Sequence, residues 1–240
     1  MTYCVAIKVD AGLIFCSDSR TNAGVDQVST YSKMYHFGIE GDRQIVINSA
    51  GNLATTQSVI AKIRKDIKEG ADVSLATVES IHDAADYVGE ISLAIQEKHA
   101  HNNSTVSFEA SFLLGGQIGL ESPAVMLIYP QGNHITTSDQ TPYLQIGESK
   151  YGKPILDRVL KPETGLETAA LCALVSMDST MKSNLTVGPP IELMSYVTNS
   201  GFMQHSVFAA DNQYLHELTK SWDHLIVEAF LQLPPPPPQI

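Results

Sequence analysis

The chain begins with two short apolar runs, within TYCVAIKVDAGLIFCSDSR over residues 2–20. Apolar side chains dominate residues 3–9 and again 13–17, and Asp10-Ala11-Gly12 lies between the two runs. Such runs are typical of buried strands, and a Gly in the connection tolerates the positive φ that a tight hairpin needs. The stretch therefore predicts an antiparallel hairpin that begins almost at residue 1.

The rest of the sequence alternates between hairpins and helices. A second hairpin is predicted over 33–39 and 44–49, and residues 53–67 and 81–95 then repeat apolar side chains at the helical spacing. Further strands are predicted at 107–114, 124–129, 134–138, 191–197 and 207–210, and further helices at 149–160, 163–182 and 213–231. Because the hairpin connections are too short for parallel crossovers, this order favours an α+β fold with two sheets stacked between helical layers.

Composition restricts the partners of this fold. The 240 residues are 43% hydrophobic and 17% charged, which suits one domain, predicted over 1–232, with a proline-rich tail over 233–240. The formal net charge of −11 has the wrong sign for neutralising phosphates, so no nucleic acid and no membrane is expected as a partner. No secretory leader and no apolar run of about 20 residues is found, so we expect a cytoplasmic protein.

The residues that commonly bind metals show no site pattern. Cys4, Cys16 and Cys172 form no Cys-x-x-Cys pair, and His99 and His101 would point to different faces of a helix. We therefore expect no metal and no cofactor, and the cysteines are interpreted as buried thiols in a reducing compartment.

The amino terminus carries the first candidate for catalysis. Once Met1 is removed, Thr2 presents a hydroxyl and a free α-amino group on the same residue. A Thr hydroxyl is a weak nucleophile at neutral pH, but an α-amine with a pKa of roughly 7.7–8.0 can accept its proton. Met-Thr starts are common, however, so this feature alone indicates little.

Charged residues downstream strengthen that hypothesis. Asp18 ends the second strand and Lys33 starts the third, and hairpin geometry returns both strand ends toward Thr2. The charge of Lys33 would lower the pKa of the α-amine and keep it neutral, while Asp18 would orient Lys33. Arg20 is predicted to anchor Asp18 or its loop. Taken alone, Asp18 and Lys33 would indicate an ordinary ion pair.

Gly51 lies at a predicted junction of strand and helix, within Asn48-Ser49-Ala50-Gly51-Asn52. A Gly at this place lets backbone N–H groups approach a developing oxyanion without obstruction by a side chain. The same residues are equally well interpreted as a plain cap at the start of a helix.

Together these residues resemble the proteasome-type N-terminal-nucleophile hydrolases, and within them the bacterial ancestral β-subunit (Anbu) group of proteasome-related peptidases. The resemblance runs from Thr2 to the last helix and implies a four-layer αββα sandwich. It also implies that Thr2 is the nucleophile, that Asp18 and Lys33 support its amine, and that the N–H of Gly51 stabilises the oxyanion. Self-association into rings or open helical arcs is implied as well.

The resemblance further implies residues that support the terminal amine. The family carries a Ser in a Gly-Ser-Gly segment, for which Ser149 is the candidate, and an Asp-x-x-Ser motif, in which Asp178 fits the Asp. Met181 stands where the Ser is expected, so Ser179 or Ser183 would have to substitute.

By the same analogy, Thr21 and Ser49 are expected to line the pocket for the residue before the scissile bond. Their small side chains indicate an open pocket. The tail residues Pro234–Pro238 are predicted to be extended polyproline, either solvated or docked on a neighbouring subunit.

Three functions stay open at this point. The first is a threonine peptidase that acts on peptides or proteins in a homo-oligomer, once Met1 has been removed. The second is a non-catalytic scaffold or assembly subunit with the same fold. The third is an amidohydrolase that acts on a small substrate. The sequence identifies no unfoldase partner.

Overall fold

Two five-stranded antiparallel sheets form the middle of the molecule in this computed structural model, which describes residues 1–22, 28–100 and 107–237. The first sheet consists of β1 (Tyr3–Val9), β2 (Gly12–Asp18), β10 (Tyr143–Gly147), β11 (Ile191–Val197) and β12 (Met203–Phe208), in the order β10-β1-β2-β11-β12. The second consists of β5 (Met34–Ile39), β6 (Arg43–Gly51), β7 (Ala110–Ile118), β8 (Ala124–Ile128) and β9 (His134–Thr136), in that order. A separate pair is formed by β3 (Arg20–Asn22) and β4 (Val28–Thr30).

Helices cover the outer face of each sheet. The second sheet carries α1 (Leu53–Glu69) and α2 (Ile81–Ala100), and the first carries α3 (Ser149–Val159) and α4 (Leu166–Ser183). The last helix, α5 (Gln213–Leu231), contacts α4. The predicted four-layer αββα sandwich is therefore confirmed.

Three hydrophobic clusters hold these layers together, and β1 contributes to two of them. Cys4 and Ala6 point between the sheets, while Tyr3, Val5 and Ile7 point toward α3 and α4. Since side chains alternate along a strand, a strand that is covered on both faces must be apolar throughout. This explains why residues 3–9 read as a continuous apolar run.

Strand register brings the ends of several strands to one edge of the sandwich. Tyr3 pairs with Gly147, Cys4 pairs with Ser17, and Ile191 pairs with Asp18. In the second sheet, Gly51 pairs with Ala110. Residue 2, the end of β2 and the end of β10 therefore lie together.

Some predicted elements differ from the observed ones. Strand β10 was not predicted, because five residues after Pro142 are too few for a clear period. The pair β3–β4 was also missed. The last strand was placed at 207–210 but spans Met203–Phe208, and helix α4 begins at Leu166, not 163, because Gly165 takes an extended conformation.

Two predictions concern the outside of the molecule. No helix in the described parts of the chain has the length and apolar character needed to cross a membrane. The tail has no regular secondary structure over 234–237 and is exposed there, and its predicted end at Pro238 lies outside the described residues.

Candidate active site

Thr2 is held in place by the backbone at the end of β10 and by the anchored side chain of its neighbour Tyr3. Its carbonyl accepts a hydrogen bond of 2.8 Å from the Glu148 N–H. Gly147, with φ +81°, lies so close that a Cβ there would be 1.9 Å from the Thr2 carbonyl oxygen. On the other side, the Tyr3 hydroxyl is bound to Ser176 at 2.6 Å. Thr2 is therefore an ordered, partly buried residue.

Asp18 accepts three hydrogen bonds at the buried end of β2. Its Oδ1 accepts from Lys33 Nζ at 2.7 Å and from the Tyr3 N–H at 3.0 Å, and its Oδ2 accepts from the Gly188 N–H at 3.2 Å. Burial raises the pKa of Asp18, and the Lys33 ammonium and the two backbone N–H groups oppose that rise. The three donors stabilise a carboxylate that no water reaches.

Lys33 is buried and connects Asp18 with the loop that follows it. Besides Asp18, its Nζ donates a hydrogen bond of 2.6 Å to the Arg20 carbonyl. Lys33 and Thr2 line the same small cavity, of about 40 Å³. The ammonium thus lies beside the residue whose amine and hydroxyl are the candidate catalytic groups.

Arg20 contacts the loop between α4 and β11, not the Asp18 carboxylate. Its Nη1 donates to the Leu185 carbonyl at 2.7 Å, and its guanidinium lies against Gly188, where a Cβ would be 2.4 Å from Cζ. The Arg20 N–H also donates to the Gly188 carbonyl at 3.2 Å. Arg20 therefore holds the loop whose Gly188 N–H reaches Asp18.

Gly51 ends β6 in a conformation that other residues rarely adopt. Its φ is +111°, and a Cβ there would be 2.4 Å from the Glu109 carbonyl oxygen. The next residue, Asn52, caps α1, since its side chain accepts a hydrogen bond of 3.2 Å from the Thr55 N–H. The helix cap is thus at Asn52, and Gly51 has the backbone conformation that favours glycine, while its role toward an oxyanion stays a prediction.

The structure places Thr21 and Ser49 in the same cavity as Thr2, Lys33 and Gly51. The Ser49 N–H donates to the Lys33 carbonyl at 2.9 Å, which ties the two strands together. The Thr21 hydroxyl is buried and has no hydrogen-bond partner within the described ranges.

Ser149 is not among the residues that line the Thr2 cavity. It begins α3, and its carbonyl accepts a hydrogen bond of 3.2 Å from Gln145 Nε2. Gln145 also donates to the Tyr3 hydroxyl at 2.7 Å. Ser149 thus reaches the amino terminus through Gln145 and Tyr3, with no described hydrogen bond of its own to Thr2.

Asp178, Ser179 and Ser183 lie within α4, and the structure does not bring them to Thr2. The Asp178 carboxylate accepts a hydrogen bond from Thr219 of α5, so this part of α4 faces the last helix. Among the described hydrogen bonds, none joins these three residues to Thr2 or to the Asp18–Lys33 pair. The partial motif match at Asp178 therefore has no described hydrogen bond to the candidate site.

Two glycines near Thr2 were not singled out as site residues. Gly188 supplies an N–H to Asp18, and Gly147 lies against the Thr2 carbonyl. Gly188 precedes Pro189-Pro190 after a predicted helix, but this pattern indicates only extended chain. The described part of the chain contains no group of three or more His, Cys, Asp or Glu residues arranged to hold a metal ion.

A family model described as "Proteasome subunit" matches residues 2–194. No curated protein matches the chain. Solved structures do match. The chain is 44% identical to "Anbu (ancestral beta-subunit) from Yersinia bercovieri", with a TM-score of 0.93, over 98% of this chain and 99% of that one.

Two further solved structures also match nearly the whole chain. "Helical Assembly of the Anbu Complex from Pseudomonas aeruginosa" is 43% identical with a TM-score of 0.92, over 98% of each chain. Anbu from Hyphomicrobium sp. strain MC1 is 38% identical with a TM-score of 0.88, over 98% of this chain and 99% of that one. The chain therefore belongs to the proteasome subunit family, with the N-terminal-nucleophile hydrolase fold and an Anbu-like sequence.

Proposed function

We propose that this protein is a threonine-type peptidase that becomes active when Met1 is removed and that works in a self-assembled oligomer. The observation that carries the proposal is the shared cavity of Thr2, Lys33 and Gly51, with Lys33 held by the buried Asp18. In this proposal Thr2, just before β1, is the nucleophile, Lys33, just before β5, is the cation, and Gly51, at the end of β6, is the oxyanion donor. Met1 is 61% exposed, which leaves its peptide bond open to an aminopeptidase.

The reaction follows from these groups. The Thr2 Oγ attacks the substrate carbonyl carbon while its proton passes to the Thr2 α-amine, and the oxyanion accepts the Gly51 N–H. The carbon–nitrogen bond then breaks, and the ammonium returns the proton to the leaving amine. Water hydrolyses the resulting ester, which releases the acid and restores the Thr2 hydroxyl.

Lys33 sets the protonation of the amine in this scheme. A cation beside the amine lowers the amine pKa, so that more of it is neutral and able to accept the Thr2 proton near pH 7. Asp18 holds the cation at a fixed position, and Arg20 with Gly188 holds Asp18. The buried pair therefore supports the base without touching the substrate.

The test uses intact mass and a covalent probe. We expect the mass of Met1-free chain, and a β-lactone or epoxyketone probe that adds to Thr2. Lys33→Ala should slow the addition by at least about 100-fold, since general-base catalysis contributes that much. Lys150→Ala, on the exposed surface beside Glu148, is the matched control and should label normally. Equal labelling of Thr2→Ala and the unchanged chain would show that the mechanism is wrong.

A second candidate is an amidohydrolase for small substrates, and the size of the Thr2 cavity favours it. About 40 Å³ accommodates only a small acyl side chain in this conformation. A panel of fluorogenic peptides and small amides distinguishes the two, because a probe-reactive Thr2 that cleaves only the amides supports the second. Retention of Met1 blocks the amine and would instead support the scaffold function.

Self-assembly is supported by an apolar surface on α5, here called the α5 apolar segment and defined by five residues. Its members are each at least 50% exposed, and they are Leu225, Ile226, Val227, Phe230 and Leu231. Exposed apolar clusters of this kind mark interaction sites. A relative that covers 98% of the chain is described as a helical assembly, so we propose a second copy of this chain as the occupant.

A further inference from the structure

A second cavity adjoins Gly51 and is much larger than the one that contains Thr2. It measures about 440 Å³ and is bordered by Gly51, Glu109, Ser111, Pro130 and Gly147, among others. Gly147 lies against the Thr2 carbonyl, so the cavity begins at the backbone of the nucleophile. None of the roles assigned above uses this space.

The two cavities meet at Ala50 and Gly51 and have no other lining residue in common. Gly51 is also the proposed oxyanion donor, so the reacting carbonyl would lie at their junction. From that carbonyl a substrate extends toward its acyl part, which in a peptide carries a side chain and the preceding residues, and toward the leaving amine. With the acyl side chain beside Thr21, Ser49 and Lys33, the leaving part extends into the larger cavity.

Glu109 supplies the charge of the larger cavity. Its backbone is fixed next to Gly51, because its carbonyl accepts a hydrogen bond of 2.9 Å from the Asn52 N–H. Its side chain is exposed and makes no ion pair with any described residue. Among the residues that line the cavity in the described ranges, Glu109 is the sole charged one.

We infer that this cavity receives the leaving-group side of the substrate and that Glu109 selects a basic residue there. The inference rests on the proposed function and deepens it, since it names the class of substrate: peptides or amides with a positive charge after the scissile bond. Because the carboxylate is exposed, the preference is a modest one, of roughly three- to fivefold.

Binding to a non-cleaving chain tests the inference directly. Fluorescent tetrapeptides that differ only in Lys, Gln or Glu at the two positions after the intended scissile bond are titrated against the Met1-free Thr2→Ala chain and followed by anisotropy. We expect the Lys peptide to bind about three- to fivefold more tightly than the Gln peptide, and the Glu peptide more weakly. Adding Glu109→Gln should abolish the difference, and Glu109→Lys should reverse it.

Glu121→Gln is the matched control, because Glu121 is an exposed glutamate at the turn between β7 and β8. It should leave the order of affinities unchanged. Equal binding of the three peptides, or a preference that persists in Glu109→Gln, would overturn the inference even if Thr2 is labelled. Loss of Thr2 labelling with a Glu109-dependent preference would instead count against the proposed function. Cleavage of matched quenched peptides by the chain with Thr2 should show the same order in kcat/KM.

Discussion

Helices α1 and α5 begin in the same way and end in different surroundings. Each is capped by an Asn whose side chain accepts a hydrogen bond of 3.2 Å from the N–H three residues later, Asn52 from Thr55 and Asn212 from Leu215. Yet α1 buries Val59, Ile60 and Ile63 against the second sheet, whereas α5 has no buried residue at all. Local sequence therefore starts both helices, and only the presence of a sheet beneath α1 decides which one is covered.

The difference in burial corresponds to a difference in what each helix contacts. The start of α1 follows Gly51 directly, so the packing of α1 fixes the position of one end of the candidate site. The α5 apolar segment exposes side chains that the described part of this chain leaves uncovered. Under the proposed function, α1 supports the site within one chain and α5 contacts a second copy.

The largest expected effect is a difference in protein stability between a substitution in α1 and one in α5. Ile63→Ala in α1 should lower the free energy of unfolding by about 3 kcal/mol, because Ile63 is fully buried and the substitution leaves a cavity. Ile226→Ala, at a residue of α5 that is 50% exposed, should cost about 0.5 kcal/mol. Urea unfolding at a concentration where the chain is monomeric measures both. Similar losses in the two variants would contradict the comparison.

The next effect concerns association. Phe230→Ser removes an aromatic side chain from the α5 apolar segment and should raise the dissociation constant of the oligomer by roughly 30-fold, or about 2 kcal/mol. Sedimentation velocity over a range of concentrations measures the shift. Leu120→Ser is the control, because Leu120 is 94% exposed at a turn far along the chain from α5. If both variants associate like the unchanged chain, α5 is not the interface.

The matched caps allow a smaller and more selective test. Asn52→Ala and Asn212→Ala should each cost about 1 kcal/mol of stability, since each removes the side chain that caps a helix. Only Asn52→Ala should also slow probe addition to Thr2, because it loosens the segment that holds Gly51. Urea unfolding and probe kinetics on the same samples separate the two effects. Slower labelling in Asn212→Ala would contradict the division of roles.

The smallest expected effect is a pH dependence of the unfolding free energy, caused by Asp66 of α1. The Lys62 ammonium, and then the Tyr87 hydroxyl at 2.8 Å, hold the pKa of Asp66 below its ordinary value. A carboxyl with a lowered pKa in the folded chain adds stability above its unfolded pKa of about 3.9, and this is lost as pH falls through the folded value.

The size of this contribution is less than about 1 kcal/mol, since Lys62 is half exposed. Unfolding free energies measured from pH 6 down to pH 2 should therefore fall less steeply for Asp66→Asn than for the unchanged chain. Tyr87→Phe removes one of the two partners and should give an intermediate slope. Identical acid slopes in all three chains would show that this contact does not stabilise α1.

The sequence predicted most of the sheets and helices because their covered faces leave a periodic apolar pattern. It failed where the pattern was too short, as in β10, and this omission mattered because β10 brings Gly147 to Thr2. Asp178 shows the opposite failure. The family resemblance implied that it supports the terminal amine, but its carboxylate accepts a hydrogen bond from Thr219 of α5.

Thr2, Asp18, Lys33 and Gly51 were predictable as candidate residues from the sequence, because their residue types suit the proposed roles and together resemble one family. Their mutual distances were not, since these depend on how two sheets stack and which strands pair. Strand pairing places the Asp18 carboxylate beside the Tyr3 N–H. Because the two sheets stack, Lys33 Nζ lies 2.7 Å from Asp18 Oδ1. The residue types are thus determined by the sequence, whereas the cavity at Glu109 and the exposure of the α5 apolar segment depend on how distant segments of the chain pack.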